Sequence, residues 1–329
     1  MPSGIQENDT MAYVGTTPWH GLGVKVEGEA MTAAQAIEAA ELDWEVGLKK
    51  VYVRNRGKYE PVSGKNAVYR KDTLDVFGVV GSRYEPFQNV DQFKMFDPIV
   101  ERGEAVYHTV GSLFNGKRVW VLARLPDNIT LINGDPIEQY VLLSNTHDGS
   151  SSLTMQLTPI RVVCQNTLSV AMDDHTSGRF TARHTSQILS KASEAWSLLG
   201  VTHSYFKGFM ETCNNLVEEK FREGDMESLA RTLWAVKEDV STGKLKGTTK
   251  RSIQTLMELF YSGTGNKGES KWDAYNAVAE FSDYMRPMGR SLQALGAVDE
   301  YSVNRRLEET WFGSGRKLRQ QAMEYLTLS

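Results

Sequence analysis

The chain has 329 residues, of which 40% are hydrophobic and 24% are charged, and its formal net charge is −4. This composition is ordinary for a folded globular protein and excludes extensive disorder. The length predicts two domains, or one large domain with an appended part. The slightly acidic balance excludes a global attraction to nucleic acid or to anionic membranes. Binding of that kind requires a local basic patch, or an oligomer that aligns such patches.

Cysteine content and apolar runs bear on the compartment. The chain has two cysteines, too few for a disulfide scaffold or a four-cysteine zinc site. Cys164 lies in an apolar run and Cys213 in a helical pattern, and both are expected to be packed thiols. No segment approaches the roughly 18 apolar residues of a membrane span, and residues 1–10 lack the basic start and apolar run of a secretory signal. We therefore expect a cytoplasmic protein that does not enter the membrane.

The first third of the chain predicts an irregular arm, a helix and two strand pairs. Residues 1–30 are rich in Gly, Thr and Pro, and their TTPWHGLG motif is expected to dock either on the chain's own core or on another subunit. Thr32, with Gln35 three residues later, fits a capped helix. LKKVYVRNRGKYEPV predicts a hairpin around Asn55-Arg56-Gly57, and NAVYRKD with DVFGVVGSRYEPF predicts a second strand pair.

A helix, a hairpin and two further strands are predicted next. Asn89 stands where a cap is expected for the helix VDQFKMFDPIVERG, in which Pro98 predicts a kink or an early break. In AVYHTVGSLFNGKRVWVLARLP, Asn115-Gly116 favours the primed turn that joins two antiparallel strands. NITLINGDPIEQYVLLSNTHDG then supplies two strands around a glycine-containing turn.

The periodicity changes from strands to helices after about Thr185. Apolar residues then recur at helical spacing over stretches too long for strands. Strands joined by tight turns, with one embedded helix, indicate an antiparallel arrangement and not alternating βαβ units. The sequence therefore predicts an α+β protein with an irregular arm over residues 1–30, a twisted antiparallel sheet with an embedded helix over residues 31–185, and a mainly helical region over residues 186–329.

The segment from Leu143 to Leu168 combines β-branched residues with many polar side chains. Each buried polar group needs a hydrogen-bond partner, so a purely structural strand pair does not require this composition. The segment therefore predicts a sheet with one functional face. Its polar residues include Asn145, His147, Asp148, Gln156, Arg161, Gln165 and Asn166.

Motifs for metal binding or catalysis are missing from the sequence. No histidine pair has HExxH spacing, and the two cysteines do not form CxxC. Ser150, Ser151 and Ser152 lack the GxSxG nucleophile elbow, and no GxxxxGKS/T phosphate loop occurs. We therefore expect no metal, no cofactor and no catalytic residues, and the sequence favours a protein that is not an enzyme.

Basic residues form local clusters on this acidic chain and predict phosphate contacts, although a solvated surface is the default for any one cluster. Tyrosines near basic residues in the predicted strands have the chemistry to stack on bases, but strand aromatics more often pack in a core. The candidate nucleic-acid-binding residues are Lys117, Arg118, Arg161, Arg179, Arg183 and His184. A second cluster comprises Lys244, Lys246, Lys250 and Arg251, and a third comprises Arg305, Arg306, Arg316, Lys317 and Arg319. The tyrosines are Tyr52, Tyr59, Tyr69 and Tyr84.

Several blocks of the chain resemble a known family. TTPWHGLG, LLSNTHDGSSSLTMQLTPIRVVCQNTL, RFTARHT, WDAYNAVAEFSDYM and FGSGRKLRQQAMEYL are similar in combination to the phage/plasmid-like proteins, a family of unknown function. The resemblance covers nearly the whole chain and implies a mobile-element origin, but it assigns no activity and no catalytic residues. The coarse plan of sheet, long helical part and basic clusters is also similar to that of phage single-strand annealing proteins, which assemble into rings or filaments.

These observations lead to one expected function and two alternatives. We expect a non-enzymatic DNA-associated phage or plasmid protein of the host cytoplasm, a strand-annealing-like factor in recombination or replication that forms homo-oligomers and binds single-stranded DNA. The first alternative is a small-molecule or nucleotide-binding counter-defence protein or enzyme, whose pocket contains His147, Asp148 and Asn166. The second is a self-assembling structural protein.

Overall fold

The computed structural model describes residues 10–15, 23–28, 30–161, 166–167, 178–188, 191, 202–234, 247–285, 309–311 and 313–328. The chain divides into two compact units, each built from separate stretches of sequence. Unit 1 consists of Met1–Pro126, Tyr140–Leu157 and Gly178–Thr202, and unit 2 of Asp127–Gln139, Thr158–Ser177 and His203–Ser329. The predicted domain boundaries, 1–30, 31–185 and 186–329, stay predictions.

Strands and helices alternate little along the described chain, which confirms the predicted α+β class. The strands are β1 Met11–Tyr13, β2 Val24–Lys25, β3 Val46–Asn55, β4 Lys58–Arg70, β5 Val76–Gly81, β6 Val106–Leu113, β7 Arg118–Thr130, β8 Pro136–Thr146, β9 Leu153–Arg161, β10 Asn166–Thr167 and β11 Arg179–Ala182. The helices are α1 Ala33–Ala39, α2 Asn89–Glu101, α3 Thr202–Glu218, α4 Glu223–Leu233, α5 Gly247–Ser262, α6 Lys271–Glu280 and α7 Ser314–Leu328, with a π-helical turn at Phe281–Met285. Most of the helical residues lie in the C-terminal part, as predicted.

The larger sheet has the strand order β10-β9-β8-β7-β6-β1-β2, and β11 pairs with β9. The pairs β1–β6, β6–β7, β9–β10 and β9–β11 are antiparallel, whereas β1 and β2 run parallel. The sheet is therefore mixed at one edge, and its parallel pair lies within residues 1–30, which were predicted to be irregular. The chain between Tyr13 and Val24 is too long for a tight turn, and antiparallel pairing is not imposed there.

Short sequence motifs predicted the cap of α1 and the β6–β7 turn correctly, but one predicted strand does not form separately. Thr32 caps α1, because its hydroxyl accepts from the Gln35 amide and the Gln35 side chain accepts from the Thr32 amide. The β6–β7 hairpin turns at Asn115 and Gly116, whose φ angles of 57° and 86° are typical of the primed turn. The segment NIT belongs to the end of β7 and does not form a separate strand.

Helix α2 differs from the sequence prediction at its N-cap and at Pro98. Gln88 occupies the N-cap position, so the expected cap at Asn89 is wrong. Of the kink or early break expected at Pro98, the early break is wrong, because the helix continues to Glu101, and the kink stays a prediction. Phe93, Phe96 and Ile99 are buried on both sides of the proline and hold this turn against the core of unit 1.

Unit 2 has a largely helical core with buried polar anchors. The Trp272 indole donates to Asp135 Oδ2 over 2.9 Å. Arg319 is fully buried and forms an ion pair with Asp283, so this member of the third basic cluster is structural. Cys213 is a buried thiol as expected, and burial raises its pKa. Cys164 lies outside the described residues.

Candidate nucleic-acid interface

A separate three-stranded sheet in unit 1, ordered β3-β4-β5, ends in a long exposed hairpin. Its turn lies at Arg56 and Gly57, within the predicted turn Asn55-Arg56-Gly57, and the φ angles of 46° and 84° are typical of a two-residue primed turn. The cross-strand pairs above the turn run from Asn55↔Lys58 to Tyr52↔Pro61. We call the residues from Tyr52 to Pro61 the ribbon.

The ribbon is exposed on both faces. All ten residues from Tyr52 to Pro61 are solvent-exposed, including Tyr52 (55%), Val53 (51%) and Tyr59 (72%). The base of the sheet is anchored instead, because Val68 and Val80 are buried and the Gln88 side chain bonds to both backbone groups of Val46. The ribbon therefore projects apolar and charged side chains into solvent without adding to the core of unit 1.

Positive charge is concentrated on the ribbon and its base. Residues 48–65 contain six basic residues against the single acidic residue Glu60, a formal charge of +5 on a chain whose net charge is −4. In the described part of the chain, none of the six forms a salt bridge. Lys49 lies 3.9 Å above the centre of the Tyr69 ring. The six residues are Lys49, Lys50, Arg54, Arg56, Lys58 and Lys65.

The two faces of the ribbon carry different chemistry. Paired residues share a face and neighbours along a strand alternate. The register Arg54↔Tyr59 and Tyr52↔Pro61 therefore assigns Tyr52, Arg54 and Tyr59 to one face. The register Val53↔Glu60 assigns these two residues to the other face, where the Asn55 amide donates to Glu60 over 3.4 Å. The pair Asn55↔Lys58 adds Lys58 to that second face. One face thus combines Arg54 with two tyrosines, and the other combines Lys58 with the carboxylate of Glu60.

Only part of the predicted nucleic-acid-binding set is exposed. Arg179, on β11 opposite Gln156, and Arg183, just after that strand, are exposed in unit 1. Lys117 is half-buried in the β6–β7 turn, and its carbonyl accepts from the amide of His147. Arg118 is buried and donates to the Ser144 hydroxyl over 2.9 Å, so its guanidinium is not displayed to a ligand.

Other predicted residues fall outside this surface or outside the described side chains. Lys250 and Arg251 are exposed on α5 in unit 2. Lys244 and Lys246 lie outside the described residues. Arg161 and Asn166 pair through their backbones in unit 2, and their side chains lie outside the described set. The described rest of the polar segment is largely buried. The Asn145 amide nitrogen donates to the Phe87 carbonyl over 3.0 Å, whereas the side-chain oxygens of Asn145 and Gln156 have no hydrogen-bond partner. The functional face expected for this segment stays a prediction.

His147 is part of the core of unit 1. The Asn89 amide nitrogen donates to the carbonyls of Leu42 and Trp44, each at 3.2 Å, which leaves its oxygen to accept from His147 Nε2 at 2.8 Å. The other ring nitrogen, Nδ1, has no hydrogen-bond partner. Burial lowers the pKa of His147 to about 3, with a smaller contribution from His184. His147 is therefore a neutral, fully enclosed side chain and does not line an open pocket.

His184 and Tyr84 form a stacked pair in the same unit. Their ring centres are 4.9 Å apart at an interplanar angle of 18°, and the Tyr84 hydroxyl donates to the carbonyls of Thr146 and His147. Both ring nitrogens of His184 are buried without a partner, and burial lowers its pKa to about 4. Asp148 is half-buried and accepts from the Ser150 amide. Neither Tyr84 nor His184 is thus available to stack on a base.

The described residues offer no alternative centre for metal chemistry or membrane insertion. No group of three or more His, Cys, Asp or Glu side chains among them is arranged to hold a metal ion. None of the helices described is long and apolar enough to span a bilayer. A cleft in unit 2 near the start of α6 is lined by side chains of both signs, including Lys220, Arg222, Glu219 and Glu269, so it does not favour one ligand charge.

Fold and surface together define an α+β protein that presents a basic β-ribbon. Residues 76–311 match the model of the domain of unknown function DUF932, and the chain belongs to that family. No curated protein and no solved structure matches the chain. The family match begins at Val76, the first residue of β5, so the ribbon precedes it and the Tyr84, His147 and His184 cluster lies within it.

The basic residues of the ribbon were not among the nucleic-acid-binding residues predicted from the sequence. The motif around Asn55-Arg56-Gly57 predicted its turn, and Tyr52 and Tyr59 were noted as possible stacking residues. The missed signal is the run of basic residues with one acidic residue between Leu48 and Lys65. Amino-acid alternation alone does not reveal that both faces of a strand pair are exposed.

Proposed function

We propose that the protein binds DNA through unit 1, with single-stranded DNA as its partner, and that it acts as an accessory factor in phage or plasmid recombination or replication. The observation that supports this proposal is the ribbon with its base: six basic side chains without ion-pair partners lie between residues 48 and 65, together with two exposed tyrosines. Phosphates attract such a surface even on an acidic chain, because the attraction is local and falls off within about 10 Å at ordinary salt.

A homo-oligomer strengthens this binding in the proposal. One ribbon contacts few phosphates, whereas ribbons from neighbouring subunits act on the same strand. Linked sites raise the overall affinity because later contacts are intramolecular. Arg179 and Arg183 are exposed in the same unit and are proposed as additional phosphate contacts. This arrangement is the basis for a strand-annealing-like role.

The charge of the ribbon can be tested directly. The triple variant Arg54→Gln, Arg56→Gln, Lys58→Gln removes three exposed charges without touching the core. For single strands, each phosphate contact contributes about 0.7 to the slope of log affinity against log salt, so the variant is expected to lose about 2 from that slope. Fluorescence anisotropy with a labelled oligonucleotide at several salt concentrations measures it.

Two surface charges in unit 2 supply the matched control. Lys250→Gln with Arg251→Gln also removes exposed basic residues, and we expect this variant to keep the wild-type slope. An unchanged slope in the triple ribbon variant refutes the ribbon as the phosphate-binding site. A loss confined to the Lys250 and Arg251 variant assigns binding to the second basic cluster instead.

The nucleotide-binding alternative was predicted at His147, Asp148 and Asn166. The observation that favours it is a set of buried ring nitrogens without a partner, Nδ1 of His147 and both nitrogens of His184. A ligand that binds only the folded state raises its thermal stability. Stabilisation by mononucleotides and not by oligonucleotides in a thermal-shift screen therefore favours this alternative over DNA binding. Mass photometry with and without single-stranded DNA tests the third possibility, because a purely structural protein assembles without binding it.

A further inference from the structure

We infer that the aromatic face of the ribbon, formed by Tyr52, Arg54 and Tyr59, is a base-stacking site that selects unpaired over paired DNA. This inference rests on the proposed DNA binding and adds to it the part of the nucleic acid that is recognised. Charge alone attracts the phosphates of single strands and duplexes alike. The tyrosine rings distinguish single strands from duplexes, because they stack on the faces of bases, and only unpaired bases expose those faces.

The two tyrosine rings are free to receive a ligand. Tyr52 is 55% exposed and Tyr59 is 72% exposed. Across the described chain, neither ring has an aromatic, cationic or hydrogen-bonding partner. Because the ribbon has no core of its own, the two tyrosine rings bury little apolar surface in the folded unit 1. Their burial therefore requires a partner that offers flat apolar surface.

The spacing of the rings suits a base. Because Arg54 lies opposite Tyr59, Tyr52 and Tyr59 are diagonal neighbours on one face. Diagonal residues in a strand pair are about 7 to 8 Å apart. Two stacking distances of about 3.4 Å make about 7 Å, which leaves space for one base between the two rings. The guanidinium of Arg54, which is a neighbour of both tyrosines on this face, reaches either a phosphate or the face of a second base.

Duplex DNA cannot use this face in the same way. Its bases already stack on one another and expose only their edges in the grooves, so a ring would have to unstack a step to reach a base face. The opposite face of the ribbon has no aromatic side chain, and its charged residues, Lys58 and Glu60, have opposite signs. The two faces of the ribbon are therefore expected to contribute unequally to binding.

The test compares variants on the two faces. Tyr52→Ala and Tyr59→Ala are each expected to weaken binding to an oligo-dT strand by about tenfold, since stacking on one base has about this value. Duplex affinity and the salt slope are expected to stay at wild-type levels, because no charge is removed. Val53→Ala, at 51% exposure on the other face of the same strand, is the matched control and is expected to bind both forms of DNA normally.

A second measurement reports stacking itself. An oligonucleotide with 2-aminopurine changes its fluorescence when that base stacks on a ring, and Tyr52→Phe with Tyr59→Phe is expected to retain this change while the alanine variants lose it. All substituted side chains are exposed, so thermal unfolding should be unaltered.

The outcomes separate this inference from the proposed function. Weaker binding by the triple charge variant with normal binding by both tyrosine variants refutes base stacking and leaves DNA binding intact. Equal losses for single strands and duplexes after tyrosine substitution also refute selectivity. A change in oligomer mass without a change in DNA affinity assigns the tyrosines to self-association and overturns the inference. No DNA binding by the wild-type protein overturns both proposals.

Discussion

Mild acidification is expected to destabilise unit 1 through His147 and His184. Burial lowers their pKa values to about 3 and about 4 in the folded protein, from an ordinary value of 6.5. The unfolded chain therefore binds protons near pH 6.5 that the folded unit does not bind. Stability is fully present above pH 6.5 and falls as the pH drops from there toward the folded pKa values.

The size of this effect follows from the two pKa values. Between pH 7 and pH 5, each histidine contributes a loss of about 2 kcal/mol in the free energy of unfolding, because only the unfolded form becomes protonated in that interval. The pair together accounts for about 4 kcal/mol, a large part of the 5 to 15 kcal/mol that is usual for a folded protein. Exposed carboxylates titrate mainly below pH 5 and contribute little here.

Urea unfolding at pH 7 and pH 5 measures the loss, and hydrogen exchange of peptides from α2 and from residues 140–146 of β8 assigns it to unit 1. His147→Gln retains a donor for Asn89 but cannot titrate, and His184→Phe preserves the stack on Tyr84. Each variant is expected to lose about half of the pH effect. Because neither nitrogen of His184 has a partner, His184→Phe should also be at least as stable as wild type at pH 7. An undiminished difference between the two pH values in both variants would refute this reasoning.

Three further predictions concern other parts of the chain. Arg319→Met leaves Asp283 as a buried, uncompensated charge and should lower the free energy of unfolding of unit 2 by about 3 to 5 kcal/mol in urea titrations. Thr32→Ala removes the cap of α1 and should cost about 1 kcal/mol, whereas Thr32→Ser should be nearly neutral. Arg179→Ala and Arg183→Ala should each reduce the salt slope of oligonucleotide binding by about 0.7, and unchanged slopes would remove them from the interface.

Local chemistry made much of the fold predictable. The cap at Thr32 depends on side chains that satisfy backbone groups three residues away, and the turn at Asn115-Gly116 depends on two residues that readily adopt a positive φ. The turn at Arg56-Gly57 is likewise local. Asn89 shows where such reasoning fails. Its side-chain amide donates to the carbonyls of Leu42 and Trp44 and does not cap α2. These partners are more than 40 positions away in the sequence, so the local pattern does not reveal them.

The site was harder to predict because exposure is a tertiary property. Arg118 and His184 sit in basic sequence surroundings, yet both are buried, one on Ser144 and the other against Tyr84. Where polar and apolar residues both occur on the two faces of a strand, the sequence does not predict which face packs against the core. The exposed Arg179 is in equally basic surroundings, so charge pattern alone does not separate it from the buried residues.

The ribbon lies outside the residues that match the family model, so the match bears on the core of unit 1 and not on the ribbon. Residues 76–311 contain α2, most of the larger sheet and the histidine pair, so the buried network around His147 belongs to the part of the chain that defines DUF932. The ribbon ends at Pro61, before that part begins. Family membership therefore neither supports nor opposes a DNA-binding ribbon. The proposed DNA binding depends instead on the exposed tyrosines and on basic side chains without ion-pair partners, all of which can be substituted without disturbing the core.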